Sequence, residues 1–179
     1  MNDFISDNQN VIIALAALGS ALAAILSIIL TTYSIWSQRR HNRISVAPLG
    51  QVSFGDYEDH IHVDIYNEGI GPLVLDELKI FSIENSNTSS ELLELMPPMP
   101  QAMHWQAFSC PQKGTVITTQ SFKRLIGFDV DTSNQAQVDY ANSVRKALGS
   151  LTIKFTYNDL YGKNQTPCER DLKWFLRNI

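Results

Sequence analysis

Charged residues are absent between Asp7 and Arg39. Within this stretch, residues 11–36 are almost all apolar, small or hydroxyl-bearing. As an α-helix they would extend about 39 Å, more than the ~30 Å hydrocarbon core of a bilayer. The sequence therefore predicts one transmembrane helix over residues 11–36.

Basic residues are also absent before this stretch, because residues 1–10 contain Asp3 and Asp7 but no Lys or Arg. A secretory signal peptide has a basic start, a shorter apolar core and a small-residue cleavage site. None of these three features is present. The absences favour a retained membrane anchor over a cleaved signal.

Three arginines follow the span, namely Arg39, Arg40 and Arg43. The positive-inside rule places the side that carries them in the cytoplasm. We therefore expect a single-pass protein of the inner membrane with a short extracytoplasmic N-terminus at residues 1–10. Residues 37–43 are predicted to be a basic linker at the lipid surface, and residues 44–179 a cytoplasmic domain.

Cysteine is scarce, with only Cys110 and Cys168 in the chain. In a reducing cytosol these two are expected to be free thiols. Recognisable catalytic motifs are missing as well: the sequence has no glycine-rich phosphate loop, no His-Glu-x-x-His, no Cys-x-x-Cys and no nucleophile elbow. We therefore expect no enzymatic activity and no cofactor.

One pattern resembles part of a metal shell. His60, His62 and Asp64 would lie on the same face of a strand and could supply three zinc ligands. The alternative is that the polar face of a half-buried strand meets water. The alternative is favoured, and no metal site is predicted.

The charge balance excludes one class of function. The chain has 14 Lys and Arg and 18 Asp and Glu, and three Arg and two Asp lie outside residues 44–179, which leaves that part at about −5. General binding to nucleic acid requires a net basic surface. We therefore expect no general binding to nucleic acid. A local basic pocket for a small anion is still compatible with this charge.

Alternation of apolar and polar residues is the main pattern in residues 44–179 and predicts half-buried strands. Turn sequences separate the strands at intervals of roughly ten residues, which favours an antiparallel β-sandwich over a parallel sheet. The apolar residues or ranges that indicate strands are Ile61, Val63 and Ile65, Leu73 and Leu75 with Leu78 and Ile80, residues 116–119, residues 122–130, and Leu151, Ile153, Phe155 and Tyr157.

One helix interrupts the strands. Residues 131–134 supply N-cap candidates, and Gly149 suits a left-handed position at the C-terminus. Between these ends, Tyr140, Val144 and Leu148 fall on one helical face. The predicted fold class is an N-terminal transmembrane α-helix plus a mainly-β domain with one inserted helix.

Two turn sequences carry a resemblance. Residues 67–72 read Asn-Glu-Gly-Ile-Gly-Pro, and residues 157–162 read Tyr-Asn-Asp-Leu-Tyr-Gly. Together with the span, they resemble short bacterial single-pass membrane proteins with a cytoplasmic immunoglobulin-like domain. The resemblance implies the architecture alone. In physical terms, the glycines permit positive φ and the Asp side chain accepts hydrogen bonds from turn amides.

Small residues recur every four positions in the predicted span, at Gly19, Ala23, Ser27 and Thr31. Such a ridge allows helices to approach closely in lipid. The functional interpretation is a homo-oligomer associated through this face. The alternative is that small residues are simply common in membrane spans.

Two functions from different classes remain. The first is a membrane-anchored sensor or effector whose domain binds a small anionic ligand, since proteins of this layout resemble, in architecture alone, effectors of antiphage defence that respond to cyclic oligonucleotides. Its candidate ligand-binding residues are Lys123, Arg124, Arg145 and Lys146 for phosphate and Trp105 for base stacking. Those same residues could instead be solvated faces of helix or strand.

The second function is a membrane-tethered scaffold that docks a protein partner. A sheet edge, or the Pro- and Met-rich segment at residues 96–100, would then provide the contact. Packing of that segment against the end of the β domain is the alternative that the composition favours.

Overall fold

The computed structural model describes residues 8–82, 88–100 and 103–178. The chain divides into two compact units, Met1–Ser45 and Val46–Ile179. The second unit is called the β domain below. Most of the predicted extracytoplasmic segment, residues 1–7, lies outside the described residues.

The described part of the first unit, residues 8–45, contains one helix, α1 (Gln9–Ser45), of 37 residues. Its rise of about 1.5 Å per residue gives a length of about 55 Å. Its most apolar 18-residue window has a mean hydropathy of 2.6, and none of that window is buried. By length and composition α1 can cross a membrane. The helix also continues through residues 37–43, where the sequence analysis places a linker.

Several hydroxyl groups of α1 donate to the helix's own backbone. Ser27 Oγ donates to the Ala23 carbonyl at 2.8 Å, and Thr31 Oγ1 donates to the Ser27 carbonyl at 2.7 Å. Ser20 and Thr32 make similar bonds one turn back. These polar groups are therefore satisfied within a single helix, as an apolar environment requires.

The described part of the β domain contains nine strands, one α-helix and two 3-10 turns. Their bounds are β1 (Gly50–Asp56), β2 (His60–Asn67), β3 (Leu73–Ser82), β4 (Thr88–Ser89), a 3-10 turn (Leu93–Leu95), β5 (Ala107–Phe108), β6 (Val116–Ile117), β7 (Ser121–Asp129), α2 (Gln135–Gly149), β8 (Leu151–Asn158), β9 (Cys168–Asp171) and a second 3-10 turn (Lys173–Asn178). The predicted strands at β2, β3, β6, β7 and β8 are confirmed.

The strands form two antiparallel sheets. The first has the order β1-β2-β7-β5, and the second has the order β4-β3-β8-β9, with β6 also paired to β3. The register shifts once in each sheet, between Val63 and Asp64 on β2 and between Leu75 and Glu77 on β3. Each shift leaves one residue unpaired, Leu125 on β7 and Asp76 on β3, which is the pattern of a β-bulge. A helix plus a mainly-β domain is therefore confirmed.

Side chains from both sheets, from α2 and from the second 3-10 turn form one hydrophobic core. Ile61, Ile80, Ile153 and Phe175 are fully buried in it. Alternation along the strands produces this core, because every second side chain faces inward. The two thiols, Cys110 and Cys168, are free, as predicted.

Helix α2 begins as predicted, since the Asn134 side chain accepts a hydrogen bond from the Ala136 amide. The prediction for its C-terminus is wrong. Gly149 does not have a positive φ. A Cβ on Gly149 would instead meet the Leu176 side chain, so Leu176 packs over the space that this glycine leaves.

The two recognised turns are built differently from each other. In residues 157–162 the prediction holds: Gly162 has φ 74°, and Asp159 Oδ1 accepts from the amides of Tyr161 and Lys163. In residues 67–72 neither glycine has a positive φ. A Cβ on Gly71 would lie 1.8 Å from the Val46 carbonyl oxygen, so close approach of two backbone segments requires glycine there.

Candidate functional site

Arg124, a predicted anion-binding residue, lies on β7 opposite Asp64 of β2. Its Nε and Nη2 donate to the two carboxylate oxygens of Asp64 at 2.9 and 3.2 Å. The hydrogen bond to Asp64 raises the pKa of Arg124 above its ordinary value. The guanidinium also lies 5.2 Å above the ring of Phe122. Arg124 is thus a partly neutralised cation on the outer face of the first sheet.

Arg145, the second predicted arginine, belongs to a buried ion pair. Its Nε donates to Asp56 Oδ1 at 2.8 Å, and the two side chains are 11% and 1% exposed. Its other nitrogens donate to the Asn142 side chain and to the Tyr57 carbonyl. The pair joins α2 to the end of β1, which is a structural role.

The two predicted lysines are exposed but lie apart. Lys123 is next to Arg124 near the start of β7, where that strand pairs with the end of β2. Lys146 lies in the last turn of α2, which leads into the start of β8. Lys123 and Lys146 therefore lie at opposite ends of the sheets, and the structure does not bring them together.

Trp105 is half-buried within an aromatic cluster. Its ring centroid lies 5.7 Å from that of Phe128 and 6.5 Å from that of Tyr140. The Tyr140 hydroxyl donates to the Pro97 carbonyl at 3.0 Å. Met96 and Met99 also pack against the core. The segment at residues 96–100 thus packs against the domain, which was the favoured alternative.

A cleft of about 430 Å³ opens beside Arg145. Its lining residues are Asp56, Tyr57, Glu58, Val130, Thr132, Val138 and Arg145. Lys123, Arg124, Lys146 and Trp105 are not among them. Because Asp56 already pairs with the guanidinium and Glu58 adds a second carboxylate, the charge of this cleft does not favour a phosphate.

The two histidines of β2 lie side by side on the outer face, with ring centroids 5.1 Å apart. His60 Nδ1 is 2.5 Å from Asp129 Oδ1. His62 is half-buried, its Nδ1 has no hydrogen-bond partner, and burial lowers the pKa of its imidazole from the ordinary value of 6.5. The His62 ring occupies space left by Gly55, its partner in β1, whereas the space at Gly127, its partner in β7, is filled by Arg124.

The candidate zinc ligands therefore have other roles. His60 pairs with Asp129, and Asp64 pairs with Arg124. Within residues 8–82, 88–100 and 103–178, no group of three or more His, Cys, Asp or Glu side chains is arranged to hold a metal ion.

The start of β7 is the surface best suited to bind an anion that carries an aromatic ring. Phe122 is exposed and Arg124 is half-buried on the same face of the strand, whereas Lys123, between them in sequence, is exposed on the opposite face. The sequence pointed to the two cations but did not single out Phe122, which it placed only within the strand range 122–130. The register shift leaves Leu125 as an extra residue on β7 and changes the phase of this strand, and alternation alone does not reveal it.

A second surface feature is a groove of about 520 Å³ beside β1, the edge strand of the first sheet. It is lined by Gln51, Val52, Ser53, Phe54, Tyr66, Glu68, Arg170 and Trp174. The groove follows the strand for four residues and mixes aromatic with charged groups.

Among known proteins, no family model matches the chain and no curated protein matches it.

Proposed function

We propose that this protein is a non-enzymatic sensor anchored in the bacterial inner membrane by α1. A small anionic ligand binds the β domain in the cytoplasm and changes the arrangement of associated spanning helices. The observation that carries the proposal is the 37-residue helix, whose apolar window is entirely exposed. Apolar surface of this extent requires a lipid environment. The proposal includes an immunoglobulin-like topology for the two sheets.

The orientation rests on the basic end of α1. Arg39, Arg40 and Arg43 all belong to the helix, and the Arg40 guanidinium lies 5.9 Å from the centroid of the Trp36 ring. Tryptophan prefers the membrane interface, and basic residues prefer the cytoplasmic side with its anionic lipids. This end of the helix is therefore assigned to the inner surface.

Helix association uses the small-residue ridge formed by Gly19, Ala23, Ser27 and Thr31. Because Ser27 and Thr31 donate their hydroxyl protons within their own helix, the ridge contributes close contact rather than donated hydrogen bonds between helices.

The ridge is tested by replacing Gly19 and Ala23 together with Leu. We expect fewer crosslinked oligomers in membranes, since the larger side chains separate the helix backbones. The matched control replaces Ala17 and Ala21, which lie four residues apart on the opposite side of the helix, with Leu. Equal crosslinking of both variants and the unmodified protein would contradict association through this ridge.

The ligand proposed for the β domain is a cyclic nucleotide, as in antiphage signalling. Phe122 offers a ring for stacking a base, and Arg124 beside it offers positive charge for phosphate. Phe122 and Arg124 lie on one face of β7, whereas Arg145 is engaged in its buried pair and Trp105 is packed in the aromatic cluster.

The binding test measures the melting temperature of the full chain in detergent with a panel of cyclic mono-, di- and trinucleotides. A saturable increase with one of them supports the sensor. Phe122→Ala should abolish the increase, because it removes the stacking ring, and Lys146→Glu should preserve it, because Lys146 lies elsewhere. Equal loss in both variants contradicts the β7 site, and no increase with any nucleotide contradicts this ligand class.

The groove beside β1 favours a second candidate, a scaffold that docks a protein partner. Edge strands accept an extended peptide through backbone hydrogen bonds. A photo-crosslinking residue at Gln51 should then capture one partner in cells. A crosslinker at Lys173, an exposed position outside the groove lining, is the control and should not capture it.

A further inference from the structure

The end of the β domain that begins at Val46 is held together by Asn67. The buried Asn67 amide group donates to the carbonyls of Gly71 and Ile117 at 2.8 and 3.1 Å. Its Oδ1 accepts from the amides of Leu49 and Gly69 at 3.2 and 3.0 Å. Residues 46–49, 67–72 and 117–119 therefore lie at one end of the domain, which is called the anchor end.

The turn at residues 158–163 belongs to the same end. Asn158 pairs with Val74, whose other neighbour is Val116 of β6. The Tyr157 hydroxyl accepts from the Gly50 amide at 3.0 Å, which connects the end of β8 to the start of β1. The anchor end therefore consists of turns from both sheets.

Large apolar side chains are exposed on these turns. Ile70 is 68% exposed, Leu160 is 67% exposed and Tyr161 is 64% exposed. Leu49 and Val116 at the same end are also exposed. Their side chains do not contribute to the core of the domain. Exposed apolar groups that gather at one place mark an interaction surface.

The charges of the two ends differ. At the anchor end, Lys163 is exposed beside Tyr161, whereas the Asp159 carboxylate is buried and accepts from turn amides. Glu68 is an exposed acid there, and its carboxylate accepts from the Gln51 side chain. The opposite end carries three exposed acids, Glu58, Asp59 and Asp131, and one exposed lysine, Lys146. Contact with an anionic lipid surface is therefore more favourable for the anchor end than for the opposite end.

We infer that the anchor end docks on the lipid bilayer, with Ile70, Leu160 and Tyr161 inserted into its interfacial region. The inference rests on the proposed membrane anchoring. Val46 follows Ser45, the last residue of α1, so this is the end of the domain that is covalently attached to the helix. Nine residues, 37–45, separate Trp36 from Val46, so this end of the domain is within reach of the membrane surface.

The test uses the full chain in vesicles of phosphatidylcholine and phosphatidylglycerol, with both cysteines removed as Cys110→Ser and Cys168→Ala. Single cysteines introduced by Ile70→Cys and by Leu160→Cys carry a nitroxide spin label. The control is Tyr57→Cys, because Tyr57 is 63% exposed and lies at the opposite end of β1.

We expect the labels at 70 and 160 to collide several-fold more often with oxygen, which concentrates in lipid, than with a water-soluble nickel chelate. The label at 57 should show the ratio of oxygen to nickel-chelate collisions that is typical of a site in water. Aqueous ratios at 70 and 160 would overturn the inference. Protection from both reagents, with spin–spin broadening between labels, would also overturn it, because a second copy would then cover this end.

A fourth label, introduced by Ala24→Cys, separates this inference from the proposed function. A lipid ratio at 24 together with aqueous ratios at 70 and 160 rejects docking alone. An aqueous ratio at 24 rejects the membrane anchor itself. Melting curves of each labelled variant show whether the β domain remains folded.

Discussion

The ion pair between Arg145 and Asp56 gives the largest expected effect of a single substitution outside the core. Arg145→Met keeps most of the side-chain length but removes the bonds to Asp56, Asn142 and the Tyr57 carbonyl. The Asp56 carboxylate, 1% exposed, is then left without its cationic partner. Removal of one partner of a buried pair costs about 3–5 kcal/mol. This is a large part of the about 5–15 kcal/mol that stabilises a typical domain.

The measurement is urea unfolding of the full chain in detergent, followed by the fluorescence of Trp105 and Trp174. Lys154→Met is the control, because Lys154 and Glu169 form a pair that is 44% and 51% exposed. Such exposed pairs contribute about 1 kcal/mol or less. Adding Asp56→Asn to Arg145→Met should restore part of the stability, since no buried charge remains. A loss with Arg145→Met no greater than with Lys154→Met would refute the reasoning.

Two further predictions concern stability. Because burial lowers the pKa of His62 below 6.5, the unfolded chain binds this proton more readily, so stability is retained above about pH 6.5 and lost as the pH falls through the folded-state pKa. His62→Gln should weaken the pH dependence of the free energy of unfolding, measured by urea unfolding at neutral and acidic pH. An unchanged pH dependence would contradict the role assigned to His62. Gly71→Ala should cost about 1–3 kcal/mol through its clash with the Val46 carbonyl. Gly162→Ala should cost about 1–2 kcal/mol, because Gly162 has φ 74° but no nearby atom that a Cβ would meet. A larger loss of stability for Gly162→Ala than for Gly71→Ala would contradict the clash with Val46 as the reason for glycine at position 71.

Periodicity predicted the long elements because each has one buried face. β2 and β8 alternate clearly, and α2 places Tyr140, Val144 and Leu148 on its buried side. β1 was not predicted, since Gly50 and Gly55 interrupt its alternation and have no side chain to show a pattern. β5 and β9 are too short for a period to appear.

The candidate site was less predictable, since charge alone does not show which cations are paired. Arg145 and Asp56 are 89 residues apart in sequence, and Arg124 and Asp64 are 60 apart. Their pairing follows from strand register and from the position of α2, which a single sequence does not specify. The turn at residues 67–72 was located correctly, but the reason for its glycines depends on Val46, a distant residue.

Mechanical load is shared where the β domain begins. A pull transmitted through α1 would reach Leu49 and Gly50 first. Their amides donate to the Asn67 side chain on β2 and to the Tyr157 hydroxyl on β8. Tension from a moving helix would therefore be divided between the two sheets at the outset, instead of peeling β1 away from its edge one bond at a time.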